Sequence, residues 1–476
     1  MGRHRGWLAA AACALASGAL FMVSRDIGPI GPLVLIAPIP LLLYAFAAER
    51  AWPVAVCALV AGLLGRASLI AAYLTVFPPF ILALWAILLP LWFAGIVLAS
   101  RWLVRGQATW LGLLAYPALT TATEFLLTTL SPHGSFGALG YALTGILPLL
   151  QVASVGGVAA LTFLAAFIPT LLALTVQAPR RWRETLLPGG VVLAAILTFG
   201  FLRLSEGFDG RQRVALAAID ALQDDVLSSE PDALNNANAY AATANELAGQ
   251  RPDVIVLPEK SLIQRVGWTD IGAALQAFAD RARIPIMAGL DQTRPDGSHD
   301  NVAVVYTAGL PPARYLKRRL IPGLEEDFNP GRESLIIGDR GIAICKDMDF
   351  APMIREYGRK GVRLMLIPAW DFRNDAELHA RMALVRGVEN GFAVARAAAG
   401  GVLSVSDAYG RKTAERTTAA DQPVSLVIDV GLRSGRTIYN RIGDAFGWFS
   451  VAVLVLLMGC RMRPAGLPRR PRLPAD

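Results

Sequence analysis

Cysteine is scarce in this chain. Its 476 residues include four, Cys13, Cys57, Cys345 and Cys460. Three fall in or beside long apolar runs, so the more polar stretch from 205 to 443 holds only Cys345. An internal disulfide in that stretch is excluded. Charge is also thin, with Asp, Glu, Lys and Arg making up 17% of the residues. Acids and bases are interspersed in the polar stretch, and that mixture excludes the basic face a nucleic-acid partner requires. No segment repeats at a solenoid period.

What the chain has instead is apolar length. The hydrophobic fraction is 54%, more than a soluble protein of this size can use. Windows long enough to span a bilayer, about 20 apolar residues each, fall near 7–23, 28–47, 53–75, 79–100, 110–130, 155–177, 186–204 and 446–460. Arg66 interrupts the third window. The 131–150 stretch is broken by Gly and Pro and reads as an interfacial or re-entrant loop. Arg3 and Arg5 precede the first window as in a signal peptide, but no clear cleavage site follows, so it is kept as a helix.

Charge placement orients these windows. Arg3 and Arg5 put the N-terminus in the cytoplasm. Arg50, Arg101, Arg105, Arg180, Arg181 and Arg183 then all lie in cytoplasmic loops, and Arg461, Arg463, Arg469, Arg470 and Arg472 mark a cytoplasmic tail. The net charge of +8 is therefore mostly an orientation signal. The expected organisation is a membrane helical bundle at 1–204, an exported α/β domain at 205–443, a last span at 444–462 and a basic tail at 463–476. A lone thiol in the oxidising compartment beyond the membrane needs a reason.

Within the exported domain, VALAAID, DVIVLPE, IPIMAGL, NVAVVYTAG, ESLIIG, RGIAIC, VRLMLIPAW and VLSVSDA read as strands. NANAYAATANELAGQ, LQAFADRARI and the long LHARMALVRGVENGFAVARAA read as helices. Strands apolar on both sides that alternate with helices predict α/β layers. Active residues of such folds gather where buried strands emerge. Three residues fit: Glu259 ends DVIVLPE, Lys317 follows NVAVVYTAG, and Cys345 ends RGIAIC. Together they offer a base, a cation and a nucleophile. A thiol gains nucleophilicity when a base removes its proton and a cation steadies the thiolate. Each also has an ordinary reading: a core cysteine, a solvated strand end, and a lysine in the solvated run KRR.

Order and context add a resemblance. VLPEKSL, YLKRRLIPGLEE and AICKDMDF, in that order, resemble the nitrilase superfamily of carbon–nitrogen hydrolases. With the flanking spans, and with GSFGALGYAL, PAWDF and TIYNRIGDAF, the chain looks like a divergent member of the apolipoprotein N-acyltransferase family. The resemblance implies a four-layer αββα sandwich on about eight spans, in a bacterial inner membrane with the catalytic domain periplasmic. It implies Glu259 as general base, Lys317 as oxyanion-stabilising cation and Cys345 as nucleophile. Glu325 would orient the lysine, and the Lys346 amide would complete the oxyanion hole. The implied reaction is ping-pong. A phospholipid gives its acyl chain to Cys345, and the amine of a diacylglyceryl-cysteine on an apolipoprotein takes it. No metal or organic cofactor is implied, and a monomer is expected. Lys346–Asp347 stand where the family has Tyr-Glu, and the stretch from Glu325 to Cys345 is short. Those departures motivate a rival reading, a membrane-tethered amidase or an acyl transfer to another amine or amide.

Other residues have two readings each. Glu124, within the fifth window, is either a functional intramembrane acid or a cap on a polar helix contact. His379, Arg386, Glu389 and Arg396 are placed on the long helix, with Arg386 and Glu389 as a structural ion pair and His379 either backing the residues of a site or at the surface. Trp370 and Phe372 either line an acyl groove or pack in the core.

Overall fold

The computed structural model describes residues 2–105, 109–220, 229–420 and 422–462. Among these, six helices are long and apolar enough to cross a membrane: Trp7–Ser24, Ala51–Ala72, Pro79–Val104, Ala153–Gln177, Pro179–Leu204 and Ala445–Met462. Arg66 leaves its helix unbroken, because its Nη1 lies 2.7 Å from both carboxylate oxygens of Asp26. Two windows do not form single long helices. The second divides into Gly31–Leu35 and Ile39–Ala47, where Pro32, Pro38 and Pro40 remove amide donors. The fifth divides into Thr109–Gly112 and Ala115–Leu130, and Pro117 sits in the first turn of the second piece, where its missing donor is tolerated. The 131–150 stretch folds into short turns at Leu139–Gly145 and Leu147–Leu150, and Gly140 rests directly on Leu161. The expected basic tail at 463–476 lies outside the described residues.

Among the described residues, thirteen strands follow the fifth long helix. They are β1 (Gly210–Ala218), β2 (Val254–Val256), β3 (Leu262–Gln264), β4 (Ile286–Thr293), β5 (His299–Thr307), β6 (Leu310–Leu316), β7 (Leu335–Ile337), β8 (Arg340–Ile342), β9 (Leu364–Trp370), β10 (Ala393–Ala399), β11 (Val402–Ser406), β12 (Lys412–Thr417) and β13 (Val424–Leu432). One sheet runs β13-β1-β2-β4-β5-β6, with β3 added on β4, and the other runs β12-β11-β10-β9-β8-β7.

The sheets stack face to face. Val214 and Leu216 of β1 and Val256 of β2 share one core with Ile342, Leu366, Ala395 and Leu403 of the other sheet. Their neighbours in β1, Ala215 and Ala217, point the other way, onto helices Glu230–Ala248 and Ala273–Ala282. A strand covered on both faces has no polar positions to alternate, hence the continuous apolar runs. Helices Ala351–Arg359 and Ala376–Asn390 cover the second sheet, completing an α-β-β-α sandwich.

The long helix expected over LHARMALVRGVENGFAVARAA ends well short of that stretch. It stops at Asn390, Gly391 takes a left-handed conformation at φ 78°, and the rest becomes β10 in the middle of the second sheet. Asn-Gly is a stop signal that the apolar periodicity masked. Arg396 is consequently a strand residue and shares no helix with Arg386.

The remaining face of helix Ala376–Asn390 joins the membrane bundle. Leu378, Met382, Leu384, Val385 and Val388 are buried in the same core as residues of the apolar helices, while Ala383 packs into the sandwich.

Candidate active site

Three strand ends converge. Glu259 follows β2 through a Leu-Pro turn, Lys317 follows β6, and Cys345 stands just beyond β8, after Ala343 and Ile344. The backbone is tight at two of these points. Lys260 has φ 52° and Cys345 has φ 40°, in the left-handed region that residues with a Cβ rarely adopt. Such strain persists where the surroundings over-determine it, and it concentrates at functional sites. Gly289 of β4 makes the Glu259 turn feasible, since a Cβ there would lie 2.4 Å from the Glu259 Cα and 2.5 Å from the Lys260 nitrogen.

The charged groups form a closed set. Lys317 is fully buried, with its Nζ 2.7 Å from Glu259 Oε1 and 2.8 Å from Glu325 Oε2. Lys260 Nζ reaches Glu325 Oε1 at 2.9 Å. Asn301 Nδ2 donates to Glu259 at 2.6 Å and to Glu325 at 2.9 Å. A buried ammonium and a half-buried one thus balance two buried carboxylates. Burial opposes charge on Lys317, but Glu259 and Glu325 outweigh it and hold the ammonium above its ordinary value. Burial likewise opposes ionisation of Glu325, and Lys317 with Lys260 outweighs it, bringing that carboxyl down to about 2. Glu325 also accepts the Ile321 amide at 2.9 Å. With so many donors around it, Glu325 is a fixed anion that holds the lysine.

Cys345 is buried and donates to the Trp370 carbonyl at 3.7 Å. Burial and then the Glu259 charge push its thiol well up, while Lys317 and Arg396 pull it down. A thiol pushed up in this way calls for a base before it can attack.

The Lys-Asp pair after Cys345 resolves into two roles. Asp347 turns inward: its Oδ2 accepts the Tyr315 hydroxyl at 2.7 Å and the Ile344 amide at 2.9 Å, and its Oδ1 accepts the Arg318 and Arg319 amides at 3.2 and 2.8 Å. One carboxylate thereby fastens the Cys345 turn to the strand end that bears Lys317. Burial raises it to about 6 against the pull of those donors. Lys346 turns toward a cavity, 3.4 Å from His133 Nδ1 and from Asp349 Oδ2.

That cavity, about 270 Å³, joins Cys345 to the apolar helices. Trp370 and Phe372 line it, as do Leu69, Phe77, Trp85 and Leu89 from the bundle. Phe372 also packs edge-on against Tyr73 at 6.2 Å. His379 lines the same cavity and is half-buried. Its Nε2 is 3.3 Å from Asp375, which more than offsets burial and lifts the imidazole to about 9. Asp371, Asp375 and His379 lie close enough together to suggest a metal set. Arg396 occupies Asp371, however, and the Tyr73 hydroxyl occupies Asp375, so the donors are already committed. Glu124 accepts the Leu139 amide at 2.9 Å and the Thr162 hydroxyl, as a cap on helix contacts would. Arg386 and Glu389 form a buried ion pair.

Sequence reasoning missed Asn301, Gly289 and Lys260. Asn301 was visible only as a polar residue opening an apolar strand, and the other two carry their meaning in backbone conformation and close approach.

Two stacked sheets covered by helices, with Glu, Lys and Cys at converging strand ends, define an α-β-β-α domain joined, among the described residues, to six long apolar helices. No family model matches the chain. It is similar to curated proteins named apolipoprotein N-acyltransferase. The one from Geobacter metallireducens is 27% identical over 390 residues, covering 73% of this chain and 74% of that protein. The one from Chromobacterium violaceum is 25% identical over 432 residues, covering 81% of each. Solved structures that resemble it include an amidase from Nesterenkonia sp., 20% identical with TM-score 0.39 over 50% of this chain and 95% of that one. Another is Saccharomyces cerevisiae Nit3 of the nitrilase superfamily, 20% identical with TM-score 0.40 over 52% and 96%.

Proposed function

We propose that this protein is a membrane-embedded acyltransferase that moves a fatty acyl chain from a phospholipid, through a thioester on Cys345, to the N-terminal amine of diacylglyceryl-cysteine in apolipoproteins. The observation that carries the reading is the cavity that opens Cys345 toward the apolar helices. A hydrolase of small soluble amides has no use for such a passage, whereas two lipid substrates need one. The names of the similar curated proteins point the same way.

In the proposed reaction Glu259 takes the Cys345 proton as sulfur attacks the ester carbonyl of the donor. Negative charge gathers on the carbonyl oxygen, where the Lys317 ammonium and the Lys346 amide stabilise it. The C–O bond then breaks, Glu259 returns the proton to the leaving lysophospholipid, and the acyl group stays on sulfur. In the second half the acceptor amine attacks the thioester, Glu259 takes a proton from nitrogen, and the thiol is restored as the amide forms. Glu325 and Asn301 hold Lys317 and Glu259 in register throughout. Trp370 and Phe372 form part of the groove for the acyl chain. The arginines of the loops support an orientation with the N-terminus and the tail in the cytoplasm and the sandwich in the periplasm of a bacterial inner membrane. Eight crossings satisfy that orientation if the two divided windows also span, and one chain holds the complete residue set.

The test uses the purified full chain with phospholipid and then a synthetic diacylglyceryl lipopeptide. Intact-mass analysis is expected to show an acyl adduct on Cys345, absent in Cys345→Ala, that passes to the lipopeptide amine. A lipopeptide acylated by Cys345→Ala would overturn the mechanism. An adduct discharged only to water or to small amines would favour the amidase reading.

A further inference from the structure

The cavity at Cys345 has a second end that the chemistry above leaves unused. Arg25, just after the first helix, lines it together with Arg66 and Trp92. Arg25 is buried to nine-tenths, yet its Nε has no hydrogen-bond partner among the described residues, and neither has the buried indole Nε1 of Trp92. The neighbouring acids are already engaged. Asp26 takes Arg66 at 2.7 Å on both oxygens, which leaves Arg25 Nε only a loose ion pair with it at 3.8 Å, beyond hydrogen-bond reach. Glu124 accepts from Leu139 and Thr162. Buried donors without acceptors are costly, and a guanidinium within a bundle more so, unless an anion completes them.

A lipid entering this cavity brings one anion with it. We infer that Arg25 and the Trp92 N–H form a subsite for the phosphodiester of the acyl-donor phospholipid, an inference that rests on the acyl-transfer reading above. The guanidinium fork matches two phosphate oxygens, and the indole supplies a third donor. Anchoring the phosphate holds the ester against Cys345, so binding energy is spent on orientation. A diacylglyceryl-cysteine acceptor carries no phosphodiester, so the subsite serves the first half-reaction only.

The test compares acyl-enzyme formation in the full chain and in Arg25→Gln, with a phospholipid and with a p-nitrophenyl fatty ester that lacks phosphate. The phospholipid rate is expected to fall about ten- to a hundredfold, as for loss of a charged hydrogen bond. The fatty-ester rate and the transfer to lipopeptide are expected to hold, and Arg25→Lys to recover part of the loss. Equal slowing with both donors would make Arg25 merely structural and overturn the subsite, as would an unchanged phospholipid rate. Inorganic phosphate is expected not to compete, and competition would reassign the site to free phosphate. Absence of any acyl-enzyme in the unaltered chain would instead sink the acyl-transfer reading itself.

Discussion

At the residue scale the decisive group is a lysine with no exposure to water. Lys317 is the shared counter-ion of Glu259 and Glu325, so Lys317→Met would strand two buried carboxylates with fewer donors. A loss of about 3–5 kcal/mol is expected, read as a fall in thermal midpoint in detergent together with abolished adduct on Cys345. Asn301→Ala removes one donor from each glutamate, and a milder cost of about 1–3 kcal/mol is expected. Glu325 gives the site a pH signature. Its folded value, about 2, lies below the roughly 4.3 of an unfolded glutamate. The stabilisation is therefore complete above about pH 4.3 and drains away as pH falls toward 2. Unfolding midpoints measured down that window should decline, and Glu325→Gln should flatten the decline.

At the element scale the site depends on two turns that no side-chain pattern announces. Gly289→Ala forces a Cβ against the Glu259 backbone, which cannot yield as a flexible side chain would. A cost of about 1–3 kcal/mol is expected, with acyl-enzyme formation falling further than stability does. The strand end at Cys345 gives a complementary check: with φ at 40°, Cys345→Gly should be more stable than Cys345→Ala by about 1 kcal/mol in a denaturant titration. These turns show what was legible in the sequence and what was not. Apolar runs closed by Glu259, Lys317 and Cys345 could be read as strand ends, because a strand buried on both faces has no other composition. The end of helix Ala376–Asn390 could not be read past the continuing apolar residues, although Asn390–Gly391 spells a stop. The close approach at Gly289 is a matter of three dimensions, and neither spacing nor periodicity encodes it. Asp347 is the converse case. In sequence it was an unexplained departure, and in space it fastens four groups from two strand ends.

At the scale of the whole molecule the membrane part and the sandwich are tied by polar as well as apolar contacts. Arg386 reaches the Met348 carbonyl at 3.1 Å and the Ser135 hydroxyl at 3.0 Å, while Glu389 accepts the Val158 amide at 2.8 Å. The pair thus touches the bundle on one side and the turn after Cys345 on the other. Glu389→Gln leaves the Arg386 charge buried without its anion, and hydrogen exchange is expected to rise at Val158 and around Met348 together.

Helix Ala376–Asn390 supplies apolar side chains to two cores at once. Neither core can melt and leave the other intact, because the departing helix would strip a wall from its neighbour. Heat should therefore find a single cooperative transition where the architecture alone suggests two. A cell that assembles this protein must then complete both halves before either is secure.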